Sequence, residues 1–261
     1  CGLPYHVGGE IPTRDVLAVQ TPATLKGMLN LDVRTRCEAV AIDRAGKRVE
    51  VKNLADGSSA WLSYDKLMLS PGASPIRPPI PGIDDQRIFT LRSLEDMDRI
   101  TEATEAGMRA VAIGAGFIGL EMAEQLQRKG LTVELVELQK QVLPQLDAKM
   151  TMLLESELRH HEIGVTLGDG IECFVPTPDA LECHLKSGKV LKADFVVLSM
   201  GVKPDTQIAR DAGLTLGPRG HIVVDHFQRT SDPDIYAAGD AVETAELVFG
   251  DRIALPMGGP A

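Results

Sequence analysis

Tryptophan occurs once, tyrosine three times and cysteine four times in these 261 residues. The cysteines form no CxxC and stand at metal-ligand spacing from no histidine, which excludes a disulfide scaffold and gives no zinc signature. Long hydrophobic runs are also missing. The longest near-unbroken apolar stretch, Ala110 to Leu120, falls short of the roughly 20 residues a bilayer-spanning helix needs. Positive charge is in deficit, with 27 Lys and Arg against 37 Asp and Glu and a net charge of -10. That balance argues against nucleic acid or anionic lipid as the main partner. The chain begins at Cys1 rather than Met and stops at the loop-like Met257-Gly-Gly-Pro-Ala261, so a piece of a longer protein is expected. Its thiols suit a reducing compartment, and a cytoplasmic location is expected. What remains, 44% hydrophobic and 25% charged, describes a globular chain of one large domain or two modest ones.

The first 30 residues are rich in glycine and proline and read as loop, apart from a helix at Pro22 to Leu29 with Pro22 at a first-turn position. Residues 33–70 read as antiparallel β: Val33, Val40 and Ile42, then Val49 and Val51, then Trp61, Leu62 and Leu67 to Leu69, broken by glycine turns. The segment Ser70 to Gly82 is too rich in proline and glycine for a regular element, so a domain crossover is placed there. From Ser93, a good N-cap with Asp96 at the third helical position, the rhythm changes. Strand (Arg109 to Ile113), helix (Phe117 to Lys129), strand (Thr132 to Val136) and helix (Asp147 to His161) follow, then more strands ending with Phe195 to Ser199. Strands apolar on both faces imply a covered parallel sheet. The expected class is α/β, with two Rossmann-like nucleotide-binding domains in three ββα layers. The second is inserted at 86–218 into a first domain made of 1–85 and 219–261.

The segment Gly114-Ala-Gly116-Phe-Ile-Gly119 follows an apolar strand and opens a helix, and that context makes GxGxxG a strong dinucleotide signal. Gly114 suits the tight turn, Gly116 lets backbone approach a pyrophosphate, and Gly119 lets helix and strand pack closely. The helix N-terminus offers free N–H groups and partial positive charge. Glu137 stands 18 residues beyond Gly119 at the end of the next strand. A carboxylate there accepts from ribose hydroxyls and repels a 2′-phosphate, so NADH is expected over NADPH.

Two further segments are weak alone. Ser63 to Ser74 is a strand running into a Ser-Pro-Gly turn, and Ser231 to Asp240 is a short strand ending in Ala-Gly-Asp at an expected helix start. Together with Cys1-Gly-Leu-Pro-Tyr-His, the dinucleotide loop with Leu120-Glu121, and Val142-Leu-Pro144 with Asp147, they resemble the flavin-dependent pyridine nucleotide-disulfide oxidoreductases. The resemblance is greatest to the branch of coenzyme A-disulfide reductases and NADH-dependent persulfide reductases. It implies FAD and NADH as cofactors, a small-molecule thiol or disulfide as substrate, and a homodimeric full-length parent. It also implies roles for particular residues. Asp240 with Gly239 would bond the flavin ribityl chain, Ala39 the FAD adenine, and Ser70 and Gly72 the turn over the flavin nucleotide. Phe117 and Ile118 would form the gate where nicotinamide meets flavin, with Glu121 near that junction and Gly201 lining the nicotinamide side.

Cys1 matches the single redox-active cysteine. With the next cysteine at Cys37, it has no CxxxxC partner, so its oxidised form is a mixed disulfide or a sulfenic acid. Two other functions are weighed: an NADH oxidase or peroxidase cycling Cys1 through sulfenic acid, and a non-catalytic nucleotide-binding module. The family's first GxGxxG, for the FAD pyrophosphate, and its C-terminal dimerisation domain are not in this sequence. His160-His161 reads as a solvated helix end, His6 as a loop histidine, and Cys173 and Cys183 as small buried hydrophobes.

Overall fold

A computed structural model describes residues 2–246 and 250–254. Cys1, the expected redox thiol, lies outside the described residues. The chain divides into two compact units, residues 1–19 with 75–201, and residues 20–74 with 202–261.

The first unit is built on a five-stranded parallel sheet. Its order across the sheet is Ile88–Thr90, Phe195–Leu198, Arg109–Ile113, Thr132–Glu137 and Gly164–Leu167. Side chains alternate between two cores, as a strand's period of two requires. Ala110, Ala112, Val133, Leu135, Phe195 and Val197 face a helical layer that contributes Met97, Ile100, Met122, Ala123 and Leu126. Val111, Ile113, Val136, Val196 and Leu198 face the antiparallel meander Ile171–Pro176, Leu181–Leu185 and Val190–Ala193, through Phe174, Leu181, Cys183 and Leu185. The layers are therefore meander, parallel sheet and helices, the expected ββα arrangement. Each fully buried Leu or Phe here is worth about 1.5–3 kcal/mol relative to exposure.

Local chemistry sets the helix boundaries. Ser93 and Asp96 form a reciprocal capping box at the start of Leu94–Glu102, and Asp147 accepts from Lys149 N–H before Ala148–His160. The strand Arg109–Ile113 has its sequence successor on one side and Phe195–Leu198 on the other, so a topological switch point lies at their carboxyl ends.

Two short α-helices, Leu3–Val7 and Gln207–Asp211, are absent from the sequence reading. Leu3–Val7 is helical, with Pro4 in the first turn, where the missing N–H costs nothing, and Val7 fully buried in the helix-side core. Its glycine-rich and proline-rich surroundings conceal it.

In the second unit, an antiparallel meander runs through Cys37–Asp43, Arg48–Asn53 and Ser59–Ser63. Val33 is not part of it, since the first strand begins at Cys37. Leu67–Leu69 is not antiparallel either; it pairs in parallel with Ile235–Ala237. That partner lies more than 160 residues downstream and is invisible to local pattern. Pro22–Leu29 is helical as expected, capped reciprocally by Thr21 and Thr24, though none of its residues is buried. After Asp240 the chain enters the strand Val242–Ala245 rather than the expected helix, with Glu243 buried against Arg252 of the neighbouring strand. A charge cluster clamps this unit. Asp234 pairs with Lys47 and Lys66, both at 2.5 Å, and Asp232 pairs with Arg44 at 2.7 Å.

Candidate functional site

The dinucleotide turn sits at the switch point of the parallel sheet. Gly114 adopts φ +104°, and its N–H donates to the Val136 carbonyl at 2.8 Å. A side chain at Gly114 would overlap the Ser199 carbonyl, and one at Gly119 would overlap the Gly114 carbonyl. At Gly116 the reverse holds: a Cβ would meet nothing within 4 Å beyond its immediate chain neighbours, leaving open space beside the backbone. Gly116 is the N-cap of Phe117–Arg128, with no side-chain cap and no acidic residue in the first turn. The first N–H groups of that helix thus lack side-chain acceptors and carry the positive end of its dipole.

Glu137 is 9% exposed and holds this turn directly. One carboxylate oxygen accepts Ala115 N–H at 2.6 Å and the other accepts Gln139 N–H at 2.8 Å. A carboxylate oxygen has two lone pairs, so each retains capacity for a ligand hydroxyl. A cleft of about 700 Å³ opens here, lined by Gly114, Gly116, Glu137, Leu138, Ser199 and Gly201 among others. That volume lies in the usual range for small-molecule sites. Gly201, at φ +95°, is fixed on the wall by Ile76 N–H, which donates to its carbonyl at 3.0 Å.

Four of the expected residues, Gly114, Gly116, Glu137 and Gly201, therefore share one cleft. Gly119 packs behind it. Phe117 and Ile118 lie outside its lining on the first helical turn, 60% and 40% exposed. Glu121 lies one turn further on, its carboxyl pushed above the usual range mainly by burial. Its negative charge in turn raises the Tyr5 hydroxyl.

In the second unit, the parallel pair brings two weak segments to one end. Ala238 N–H donates to the Leu69 carbonyl at 3.0 Å, so Ser70 and Gly72 leave one strand where Gly239 and Asp240 leave the other. Gly239 sits at φ +84°, and beyond its immediate chain neighbours nothing lies within 4 Å of where a Cβ would be. Ala39 lies on the meander opposite Val51, beside a register shift.

The expected non-participants also have places. His6, expected in a loop, instead lies in the helix Leu3–Val7 with its Nδ1 2.6 Å from the Ile11 carbonyl, and His161 pairs with Glu157 on an exposed helix end. Burial pushes the Cys183 thiol up to about 12. Cys173 and Cys183 lie on paired strands but oppose His184 and Phe174 rather than each other. Among the described residues no group of three or more His, Cys, Asp or Glu is placed to hold a metal. No helix among them is long and apolar enough to cross a membrane.

Sequence reasoning missed three parts of the cleft wall: Pro78 to Pro81, Gly170 and Lys186. The proline-rich stretch is conspicuous in the sequence. Its place against the glycine turn follows only from the fold.

Residues 4–253 match the family model for pyridine nucleotide-disulphide oxidoreductases, and the chain belongs to that family of FAD- and NAD-dependent enzymes. The chain is 40% identical to the reduced Bacillus anthracis CoADR-RHD, with a TM-score of 0.95, covering 100% of this chain and 47% of that one. It is also 40% identical to the NAD-dependent persulfide reductase from A. fulgidus, with a TM-score of 0.93 over 100% of this chain and 49% of that one. The NADH oxidase of Methanocaldococcus jannaschii is 35% identical over 99% of this chain and 58% of its own length. The chain thus spans about half the length of the relatives it matches.

Proposed function

We propose that the natural protein carries electrons from NADH to a disulfide or persulfide of a small thiol such as coenzyme A, using FAD and the single thiol of Cys1. The observation that carries this reading is the Gly114–Gly119 turn set beside the fixed Glu137 carboxylate on one cleft. Residues 86–218 form the NAD(P)H domain in this reading and residues 1–85 and 219–261 two parts of an FAD domain, whereas the compact units group 1–19 and 75–85 with 86–201 and group 202–218 with the rest. The likeness to a persulfide reductase and to CoADR-RHD supports it. A homodimer in the cytoplasm belongs to the same proposal.

Each residue then has a task. The helix N-terminus after Gly116 takes the cofactor pyrophosphate on its free N–H groups. Glu137 accepts from the adenosine ribose with its remaining lone pairs, and its charge disfavours a 2′-phosphate. Gly201, Phe117, Ile118 and Glu121 serve the nicotinamide end. Ser70, Gly72, Gly239, Asp240 and Ala39 hold FAD; the open space beside Gly239 and the shared strand end fit a nucleotide approaching the backbone. FAD, when bound, supplies a two-electron carrier between nicotinamide and sulfur. Cys1 as thiolate attacks one sulfur of the substrate disulfide; that S–S bond breaks, one thiolate leaves, and a mixed disulfide with Cys1 forms. Two electrons and a proton then return Cys1 to thiolate and release the second thiol.

Cys1→Ser in the natural protein tests this. Turnover of NADH with coenzyme A disulfide should fall at least about a hundredfold while NADH affinity is unchanged. Retained turnover contradicts the role of the thiol. A second reading, NADH oxidation by oxygen or peroxide through a Cys1 sulfenic acid, is favoured by the likeness to an NADH oxidase. Oxygen uptake with NADH and no disulfide present is its signature.

A further inference from the structure

With the cleft read as the nicotinamide-cofactor site, two charged side chains on its wall, Glu172 and Lys186, have no task, and Lys186 is the only cation among the described lining residues. Lys186 lines the same cleft as Glu137, Leu138 and Gly170, and its position is built from the backbone outward. Gly168 N–H donates to the Gln139 carbonyl at 2.8 Å, and Asp169 N–H donates to the Glu137 carbonyl at 3.2 Å. The 168–170 loop is therefore bonded to the segment that carries the ribose-facing carboxylate. Lys186 N–H donates to the Gly170 carbonyl at 2.8 Å. The next residue, Ser187, donates to the Asp169 carboxylate through its N–H at 3.2 Å and its hydroxyl at 2.5 Å. These bonds hold Asp169 below the usual carboxylate range and occupy it within the turn.

Side chains complete the arrangement. A Cβ on Gly170 would lie 3.0 Å from Leu138 Cδ1 and 3.6 Å from both Cδ and Cε of Lys186. The absence of a side chain at Gly170 thus lets the Leu138 side chain and the Lys186 stem converge on it. Lys186 is an exposed residue and makes no ion pair among the described residues. The neighbouring Lys189, by contrast, is engaged with Thr166 and Glu134.

We propose that Lys186 is a second determinant of cofactor choice, offering a cation to a phosphate on the adenosine ribose and opposing the repulsion from Glu137. The site then separates NADH from NADPH by the balance of this cation against the lining carboxylates Glu137 and Glu172, with Asp169 occupied within its turn. An ammonium on a flexible stem suits this role, since it follows a phosphate as a point charge without needing one fixed fork geometry. This inference rests on the cleft being the NAD(P)H site.

The test is the affinity of the purified chain for NADH and for NADPH, in the natural sequence, Lys186→Met and Lys186→Arg. Methionine keeps the stem and removes the charge. Lys186→Met should weaken NADPH about tenfold and NADH by less than about twofold, and the NADPH loss should shrink at high salt. Lys186→Arg should retain NADPH binding. Equal losses for both cofactors would place the ammonium on the pyrophosphate or adenine they share and overturn the inference, as would no loss at all. If the natural chain binds neither cofactor, the cleft reading itself fails and the inference with it. If it binds NADH and Lys186→Met leaves the NADPH-to-NADH ratio unchanged, only the inference fails.

Discussion

The Glu137 carboxylate accepts the backbone N–H of Ala115 at 2.6 Å, tying the end of one parallel strand to the glycine turn that leaves its neighbour. Ala115 is fully buried, so this donor has no water to fall back on. Glu137 is therefore a strut for the glycine turn, and in the proposed cofactor site the same side chain also sets a negative charge beside the ribose.

Two substitutions separate these functions. Glu137→Ala removes both, leaves the Ala115 N–H unsatisfied, and should cost about 1–3 kcal/mol of stability by chemical denaturation. Glu137→Gln keeps one acceptor oxygen for the buried Ala115 N–H, while it loses the charge and the bond to the more exposed Gln139 N–H. It should retain most of the stability while weakening the preference for NADH over NADPH. Equal stability losses in the two variants would contradict the strut.

Gly119→Ala tests the packing behind the turn. Its methyl would overlap the Gly114 carbonyl, which belongs to backbone and has no rotamer to escape into. The variant should unfold at lower denaturant and lose NADH binding together, since overpacking against backbone typically costs about 1–3 kcal/mol. Unchanged stability would show that the helix and strand are not held as closely as described.

The second unit should weaken in acid in a defined window. Lys47 and Lys66 hold the Asp234 carboxyl down to about 2. A depressed folded-state value contributes stability above the unfolded value, about 3.9, and loses it as pH falls through the folded value. Asp234→Asn should therefore lower the melting temperature near neutral pH. The difference from the natural chain should narrow between about pH 4 and pH 2. A difference constant across that window would remove the pair from the account.

Thiol chemistry offers a simple check of the cores. With its thiol raised to about 12 by burial, Cys183 at pH 8 carries a thiolate fraction of about one in ten thousand. It should resist a chromogenic disulfide reagent until the chain is unfolded. Fast modification of Cys183 in the native chain would contradict its burial between meander and sheet.

Much of the site was legible because its signals are local. The strand, the glycine turn and the helix at Phe117–Arg128 form one continuous segment, each part with its own residue chemistry, and Ser93 and Asp147 mark helix starts by capping. Leu3–Val7 was not legible, since its one fully buried apolar residue, Val7, finds its core only through tertiary packing. The parallel pairing of Leu67–Leu69 with Ile235–Ala237 was hidden for the same reason. Within the site, the type of residue at Glu137 was readable, but its bond to Ala115 was not. Periodicity places a side chain on a face; it does not name the backbone group that face meets. Lys186 was lost in a turn of ordinary composition, and only the bonds to Gly170 and Asp169 bring it to the cleft.

The central claim is that a pyridine dinucleotide binds where Gly116 leaves its backbone bare. Fluorescence titration of the purified chain with NADH, beside Gly116→Ala, tests it most directly. Beyond its immediate chain neighbours, nothing lies within 4 Å of the added methyl, so the fold should stand unchanged. Saturable NADH binding by the natural chain, weakened at least about tenfold in Gly116→Ala at equal melting temperature, is the predicted result. Equal affinity in the two proteins, or no binding by the natural chain, would contradict the account.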